Sequence, residues 1–455
     1  MTEKSAPPMT ALEQIDARPL TKNQRSLIGL AVAGNISEFF DMFLIGFAVN
    51  VLLKDPAWHL RGDEAGIILA MSGLGTVIGA IGWGRLADSI GRKRSFYWCT
   101  VLFTVFTVVC VFTPDNGWVL LAFLRVLVGM GVGGLNIVSI PYVQEFVPAK
   151  QRGLLAGLTA VFIPLGLFLG SVASSLTGSN WRLLIALGGI PIFLLFWLHR
   201  VPESPRFLQS KGRTEEARAA LAWALQLPPE QVGTLPEAPK TTASASYRLI
   251  FTKYRKSLLI VAIGSFSFIL GSSVIQSWGQ SILGSAYAFD SGMVANLFML
   301  VSLGDLLGRL SSAWLADRIG RKKVMLSYGL IGAVGLLLSA GSTMLAGGAG
   351  ANAGWIFFIG IMIAMTFGDG AFGVLNPFGA EQFPNEARST GLGLGYGIGS
   401  TGKIFGPWLL GAMFGAKVTA DIIPAAFLFF AVLLVIGGVT YQFARETKGE
   451  SLEKI

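Results

Sequence analysis

Marked out as apolar and polar positions, the chain is a series of long apolar runs separated by short polar connections. A helix needs about 20 apolar residues to cross the hydrocarbon core of a bilayer. Twelve such runs fall at roughly 27 to 53, 65 to 86, 95 to 113, 118 to 146, 154 to 177, 181 to 200, 257 to 284, 292 to 315, 324 to 345, 354 to 380, 389 to 416 and 422 to 443. Lipid cannot satisfy a bare backbone, so continuous runs of this length must be helices. The pattern predicts an all-α membrane protein of twelve transmembrane helices, here called spans 1 to 12, with the lipid bilayer as its surroundings. The single long polar stretch, 201 to 256, divides the spans six and six. Its mixed-charge run from Gly212 to Arg218 and its Pro/Thr/Ser-rich part, 228 to 246, read as one or two amphipathic helices plus a flexible linker. The expected organisation is an N-terminal tail (1–25), a six-helix bundle (26–200), a linker (201–256), a second six-helix bundle (257–443) and a C-terminal tail (444–455).

The two halves carry the same phrases. Gly84-Arg85-Leu86-Ala87-Asp88-Ser89-Ile90-Gly91-Arg92-Lys93-Arg94 is answered by Ala313-Trp314-Leu315-Ala316-Asp317-Arg318-Ile319-Gly320-Arg321-Lys322-Lys323, with the aspartates 229 residues apart. Glu145-Phe146-Val147-Pro148-Ala149-Lys150-Gln151-Arg152 is answered by Glu381-Gln382-Phe383-Pro384-Asn385-Glu386-Ala387-Arg388 at an offset of 236. A chain written twice implies two pseudo-symmetric bundles, and a duplicated membrane protein of this layout is most simply a solute carrier. In the paired turns, an aspartate at a helix end suits the positive N-terminus of a neighbouring helix, and the arginines can bridge to carboxylates on the adjacent half. Asp88, Arg92, Glu145, Arg152, Asp317, Arg321, Glu381 and Arg388 are the expected gate, since charge pairs that form on one side only suit a two-state latch. The other reading of the basic turns is a simple positive-inside anchor. Glycines at Gly75 and Gly79 in span 2 and from Gly391 to Gly399 in span 11 serve either close packing or a sliding surface between the halves.

Charge fixes the expected orientation. Arg92, Lys93, Arg94, Lys150, Arg152, Arg318, Arg321, Lys322, Lys323 and Arg388 fall on one side together with the linker and both tails. Lys54, Arg61, Arg182 and Lys417 are the basic residues of the other side, which predicts cytoplasmic termini. Residues 1 to 25 contain no apolar core of a signal peptide and read as a soluble tail. Composition agrees with a membrane protein: 53% hydrophobic, 13% charged, 58 glycines and a mean hydropathy of +0.62. The net charge of +9 lies in short connections and not on one soluble face, so nucleic acid is not an expected partner. Cys99 and Cys110 share one span and lack metal-ligand spacing. With histidine at only His59 and His199 and no Walker sequence, no catalytic set, cofactor or metal site is expected.

The two Asp-x-x-Gly-Arg-Lys turns and the Glu-x-x-Pro-x-x-x-Arg phrases resemble the major facilitator superfamily over essentially the whole chain. Pro202-Glu203-Ser204-Pro205-Arg206-Phe207-Leu208 after span 6 and Glu446-Thr447-Lys448-Gly449 after span 12 strengthen that resemblance. It implies a central cavity lined largely by spans 1, 4, 7 and 10 and alternating access by rocking of the halves. Ile15-Asp16-Ala17-Arg18-Pro19-Leu20, Glu38-Phe39-Phe40-Asp41, Arg125 with Gly129, Gly131, Gly133 and Gly134, and Gly402-Lys403-Ile404-Phe405-Gly406-Pro407 look like the aromatic acid and organic anion proton symporters. That group usually has Asp-Gly-aromatic-Asp in span 1 and Arg at the place of Lys403. Gly34-Asn35-x-x-Glu38-x-x-Asp41 also resembles the metabolite proton symporters, and sugar porters share the Pro-Glu-Ser-Pro-Arg and Glu-Thr-Lys-Gly phrases.

Charges at membrane depth are costly unless paired or hydrated, which makes each one a candidate for function. Asp41 in span 1, with Glu38 one turn earlier, is the expected proton carrier, and Arg125 the partner that tunes it. Asp305 and Arg309, four residues apart, suit mutual neutralisation. Asp369 and Lys403 lie at mid-depth in spans 10 and 11; Lys403 either recognises an anionic substrate or is neutralised by Asp369. Tyr142, Trp278, Phe39, Phe40, Asn376, Gln276 and Gln280 are the remaining expected pocket residues. The expectation is a monomeric symporter of the bacterial inner membrane type that moves a small organic acid with protons. The rival expectations are a sugar or polyol transporter and a transporter-like sensor.

Overall fold

The structure, a computed structural model, describes residues 9–148, 161–235, 243–384 and 387–448. Its described elements are helical, with no strand among them. Helices stand at all twelve predicted places. The first six are Lys22–Leu52, Gly62–Ile90, Arg92–Cys110, Trp118–Gln144, Pro164–Thr177 and Trp181–His199. The second six are Arg255–Ala286, Ser291–Ile319, Arg321–Ala340, Ala351–Ala380, a pair of helices at Arg388–Ser400 and Gly402–Phe414, and Ala420–Phe443. Among the described residues, nine helices are long and apolar enough to cross a membrane. The other three places have local reasons. Span 3 opens on three basic residues, the first part of span 5 lies outside the described residues, and span 11 breaks at Thr401.

The duplicated turns adopt duplicated geometry. Gly91 and Gly320 sit between spans 2 and 3 and between spans 8 and 9 with φ of +104° and +99°, a region that side chains disfavour. A side chain there would also displace a capping carboxylate, because a Cβ at Gly91 would stand 2.3 Å from a Glu203 carboxylate oxygen and one at Gly320 2.8 Å from that of Glu446.

Across the molecule the halves meet unevenly. Away from the basic turns, at what is called here the far face, spans 2 and 11 touch backbone to backbone: a Cβ at Gly66 would lie 2.7 Å from the Cα of Gly411. Toward the basic face the same two helices separate, and Cβ atoms at Gly82, Gly393 and Gly397 would meet nothing within 4 Å. Among the described residues, the space between the halves is therefore closed at the far face and open toward the basic face. Gly75 and Gly79 take no part in this seam. They pack against Val126 and Met130 of span 4, inside the first half.

Short helices cover part of the basic face. Thr214–Leu225 holds the start of span 1, with Thr21 Oγ1 donating to the Ala224 carbonyl at 2.5 Å and Asn23 Nδ2 to that of Trp223 at 2.7 Å. The N-terminal tail also docks there. Helix Ala11–Asp16 buries Ala11 and Ile15 against Leu221, Ala222, Leu225 and Val232. A stripe of two apolar residues is too short to read as a docking helix in sequence. Within the expected linker, 236–242 lies outside the described residues, and helix Ala243–Thr252 leads into span 7.

Candidate functional site

Among the described residues, three groups of charge bear on the site. The first is the duplicated network on the basic face. Arg92 pairs with Asp88 at 2.6 Å and with Glu145 at 3.6 Å. Arg321 pairs with Asp317 at 3.4 Å and with Glu381 at 3.3 Å. Each turn carries a further acid that caps the following helix. Glu203 accepts from the Lys93 amide at 2.9 Å, and Glu446 accepts from the Arg321 and Lys322 amides at 3.0 and 3.1 Å. Ser204 donates to Glu145 and Thr447 to Glu381, completing matched sets. Burial pushes the Glu446 carboxyl up, but amide donors from Lys322, Arg321, Lys448 and Thr447 outweigh it and hold the group below the ordinary glutamate range.

The expected latch is corrected in one respect. Asp88 and Asp317 have side chains 72% and 78% exposed and pair with the arginine four residues on, so neither is buried at a neighbouring helix N-terminus. Among the described residues, the Arg92 and Arg321 bridges stay within their own halves. Arg388 begins the first helix of span 11, and Arg152 lies outside the described residues. Glu203, Ser204, Glu446 and Thr447 were not among the expected gate residues. The signal for them is a third duplication, Glu-Ser after span 6 and Glu-Thr after span 12.

The second group lies inside the first half. Arg125 places Nη2 3.1 Å from Asp41 Oδ2 and donates from Nε to Ser72 Oγ at 3.0 Å. Thr107 donates to Asp41 Oδ1 at 2.5 Å. Spans 1, 2, 3 and 4 thus converge on one ion pair whose members are 0% and 1% exposed. Glu38 is equally buried one turn earlier on span 1. These groups face the interior of their own bundle and do not line the central cavity.

The third group forms the wall of that cavity. Arg309 donates to Asp305 at 3.0 Å and also holds Asp369, so one guanidinium serves two carboxylates from spans 8 and 10. Gln276 of span 7 donates to the other oxygen of Asp369 at 2.9 Å. Asp369 ends a π-helical stretch, Ala364–Asp369, and such wide turns re-aim side chains at functional sites. Lys403 follows the break in span 11 and lines the same cavity with Asn376, Tyr396, Phe372 and, from the first half, Phe39. Among the described residues no carboxylate lies within 4.0 Å of its ammonium, which stands 5.4 Å from the Phe39 ring centroid. The expected alternative of Asp369 neutralising Lys403 is therefore replaced by Asp369 with Arg309. Broken helices that present charge at mid-depth are a recurrent way of building a solute site.

Five expected pocket residues, Lys403, Asp369, Gln276, Asn376 and Phe39, meet in this cavity. Three others are placed elsewhere by their hydrogen bonds. Tyr142 is fully buried near the basic face with its hydroxyl donated to the Pro202 carbonyl, and Trp278 donates its indole N–H to the Pro407 carbonyl at 3.0 Å. Gln280 donates back to the Gln276 carbonyl and sits against Gly46 of span 1. Phe40 is not among the residues lining this cavity, and its backbone packs against Gly166 of span 5. Cys99 and Cys110 are buried free thiols.

The family described as "Sugar (and other) transporter" matches residues 27–455 of this chain. The niacin transporter of Acinetobacter baylyi is 30% identical, over 98% of this chain and 100% of that one. The benzoate transport protein of the same organism is 28% identical, over 94% and 93%. Among solved structures, the inward open conformation of the xylose transporter from E. coli aligns with a TM-score of 0.72 at 21% identity, covering 94% of this chain and 98% of that one, a likeness of fold alone.

Proposed function

We propose, from the premise that this chain belongs to the sugar (and other) transporter family of the major facilitator superfamily and is a multi-pass membrane transporter, that it carries a small aromatic or related organic acid together with protons. The observation that carries this reading is Lys403. An ammonium in a cavity wall, stacked over an aromatic ring and without a carboxylate partner, offers donors and charge to an anionic group. Phe39, Phe372 and Tyr396 supply flat apolar walls for a ring attached to that anion. Niacin and benzoate, for which two relatives are named, fit this chemistry.

In this reading Asp41 carries the coupling proton with Glu38 beside it. Protonation of Asp41 removes the charge that holds Arg125, and the guanidinium keeps Ser72 as a partner while span 1 shifts against span 4. The basic-face networks form the gate, and pairing across the halves belongs to the state in which that face closes. By the charge bias of the loops, the basic face and both termini are cytoplasmic, the membrane is a bacterial-type inner membrane, and the cavity faces inward. The protein works as a monomer.

A sugar or polyol substrate is the competing reading, favoured by the amide and hydroxyl groups of Gln276, Asn376, Ser272 and Ser273 in the cavity. Counterflow in proteoliposomes separates the two. Labelled benzoate or nicotinate is expected to exchange against the unlabelled acid while labelled hexose and inositol do not; exchange of the sugars alone overturns the proposal. A ligand that binds without exchange would make the protein a sensor.

A further inference from the structure

The cavity wall holds an imbalance that the Asp41 pair does not account for. Asp305 and Asp369 are 2% and 1% exposed and share the single guanidinium of Arg309, itself 4% exposed. With both acids ionised, this buried cluster carries one surplus negative charge, which lipid-embedded protein does not tolerate without a partner. Among the described residues, the titratable and charged groups that face it are few. Span 8 supplies Arg309, span 11 supplies Lys403 and Tyr396 across the cavity, and span 9 supplies Tyr328, which is hydrogen-bonded to Ser311. Span 7 contributes only the neutral Gln276. Lys403 is the other cation lining this cavity among the described residues, with no direct contact to the pair.

We propose that the Asp305/Asp369 pair around Arg309 is a proton-binding site, and that a carboxylate docking on Lys403 draws one proton onto it. This rests on the reading of Lys403 as the anion contact. The charge balance gives the direction. A bound carboxylate takes over the charge of Lys403 and leaves the pair uncompensated. A proton from cavity water, placed on one carboxylate oxygen, restores neutrality, and that acid then donates where it had accepted. Arg309 keeps the remaining carboxylate. One proton enters with each monocarboxylate, and the loaded cavity has the same net charge as the empty one. The substrate wall thereby has its own proton site, apart from the ion pair buried in the first half.

The test is the pH dependence of binding to the purified full chain in nanodiscs, read with labelled benzoate and nicotinate. For the wild-type chain, affinity should fall toward tenfold per pH unit on the alkaline limb, the slope of one linked proton. Asp369→Asn and Asp305→Asn each remove the surplus charge, so each should flatten that slope and bind the acids more tightly than wild type at alkaline pH. Asn keeps the shape and accepts from Arg309, and the second variant serves if the first fails to fold. Retention of the wild-type slope in both Asn variants, or its loss in Asp41→Asn alone, overturns the inference while the transport reading stands. Absence of binding and exchange of either acid in the wild-type chain overturns the reading and the inference with it.

Discussion

The Lys403 ammonium and the Phe39 ring, 5.4 Å apart, face each other across the seam between the two halves. Lys403 belongs to span 11 and Phe39 to span 1, so a solute held between them touches both bodies that must rock. Phe39 is also two residues from Asp41 on the same helix, which places the solute wall and the proposed proton carrier on opposite sides of one rod.

Replacing the cation tests its role in recognition. Lys403→Gln should weaken binding of benzoate about 10- to 100-fold, the loss of a charge-assisted hydrogen bond worth about 1.5–3 kcal/mol, and should leave binding of benzamide nearly unchanged. Lys403→Arg should keep most of the preference for the acid. Competition binding measures both, and equal losses for acid and amide would make the lysine structural.

Arg125 and Asp41 form a buried pair, and removing one partner strands the other. Arg125→Leu should destabilise the fold by about 3–5 kcal/mol, whereas the double change with Asp41→Asn should recover most of that loss. Thermal unfolding in detergent reads the cycle; no recovery in the double variant would mean that the two do not act as a pair.

The seam at Gly66 and Gly411 admits no side chain at the far face. Gly411→Val should hold the halves apart there and shift the population toward closure of the basic face. Labelling of a cysteine introduced by Gly397→Cys, which faces open space, should fall several-fold in that background. Undiminished labelling would mean that this contact does not set the conformational balance.

Glu446 supplies a pH dependence with a definite sign. Its folded-state pKa lies below the ordinary glutamate value, since the amide donors outweigh burial. Its contribution to stability is therefore complete above the ordinary glutamate range and is lost as pH falls through the lowered folded value. Melting temperature should drop on acidification more for the wild-type chain than for Glu446→Gln, which lacks this titration. Parallel profiles would remove Glu446 as a contributor.

Much of this architecture was legible from spacing alone, because a span must be long and apolar and a turn between spans must be short, basic and broken by glycine. The Asp88–Arg92–Glu145 and Asp317–Arg321–Glu381 sets follow from phrases repeated half a chain apart. Asp41 with Arg125 was legible as opposite charges at compatible depth. The partner of Asp369 was not, because Arg309 and Lys403 both lie within reach along the membrane normal, and sequence does not give the order of helices around a bundle. Tyr142 and Trp278 misled for a related reason. A buried aromatic with a polar tip serves equally to tether a carbonyl or to line a cavity, and only the neighbouring backbone decides.

Gradient-driven uptake into sealed proteoliposomes tests the central claim most directly. With an imposed proton gradient, the wild-type chain should accumulate labelled benzoate or nicotinate above its external concentration and lose the accumulated label when a protonophore is added. Asp41→Asn should abolish the accumulation yet exchange internal for external substrate. Uptake that only equilibrates in the wild-type chain, or full accumulation in Asp41→Asn, would contradict proton-coupled transport as drawn here.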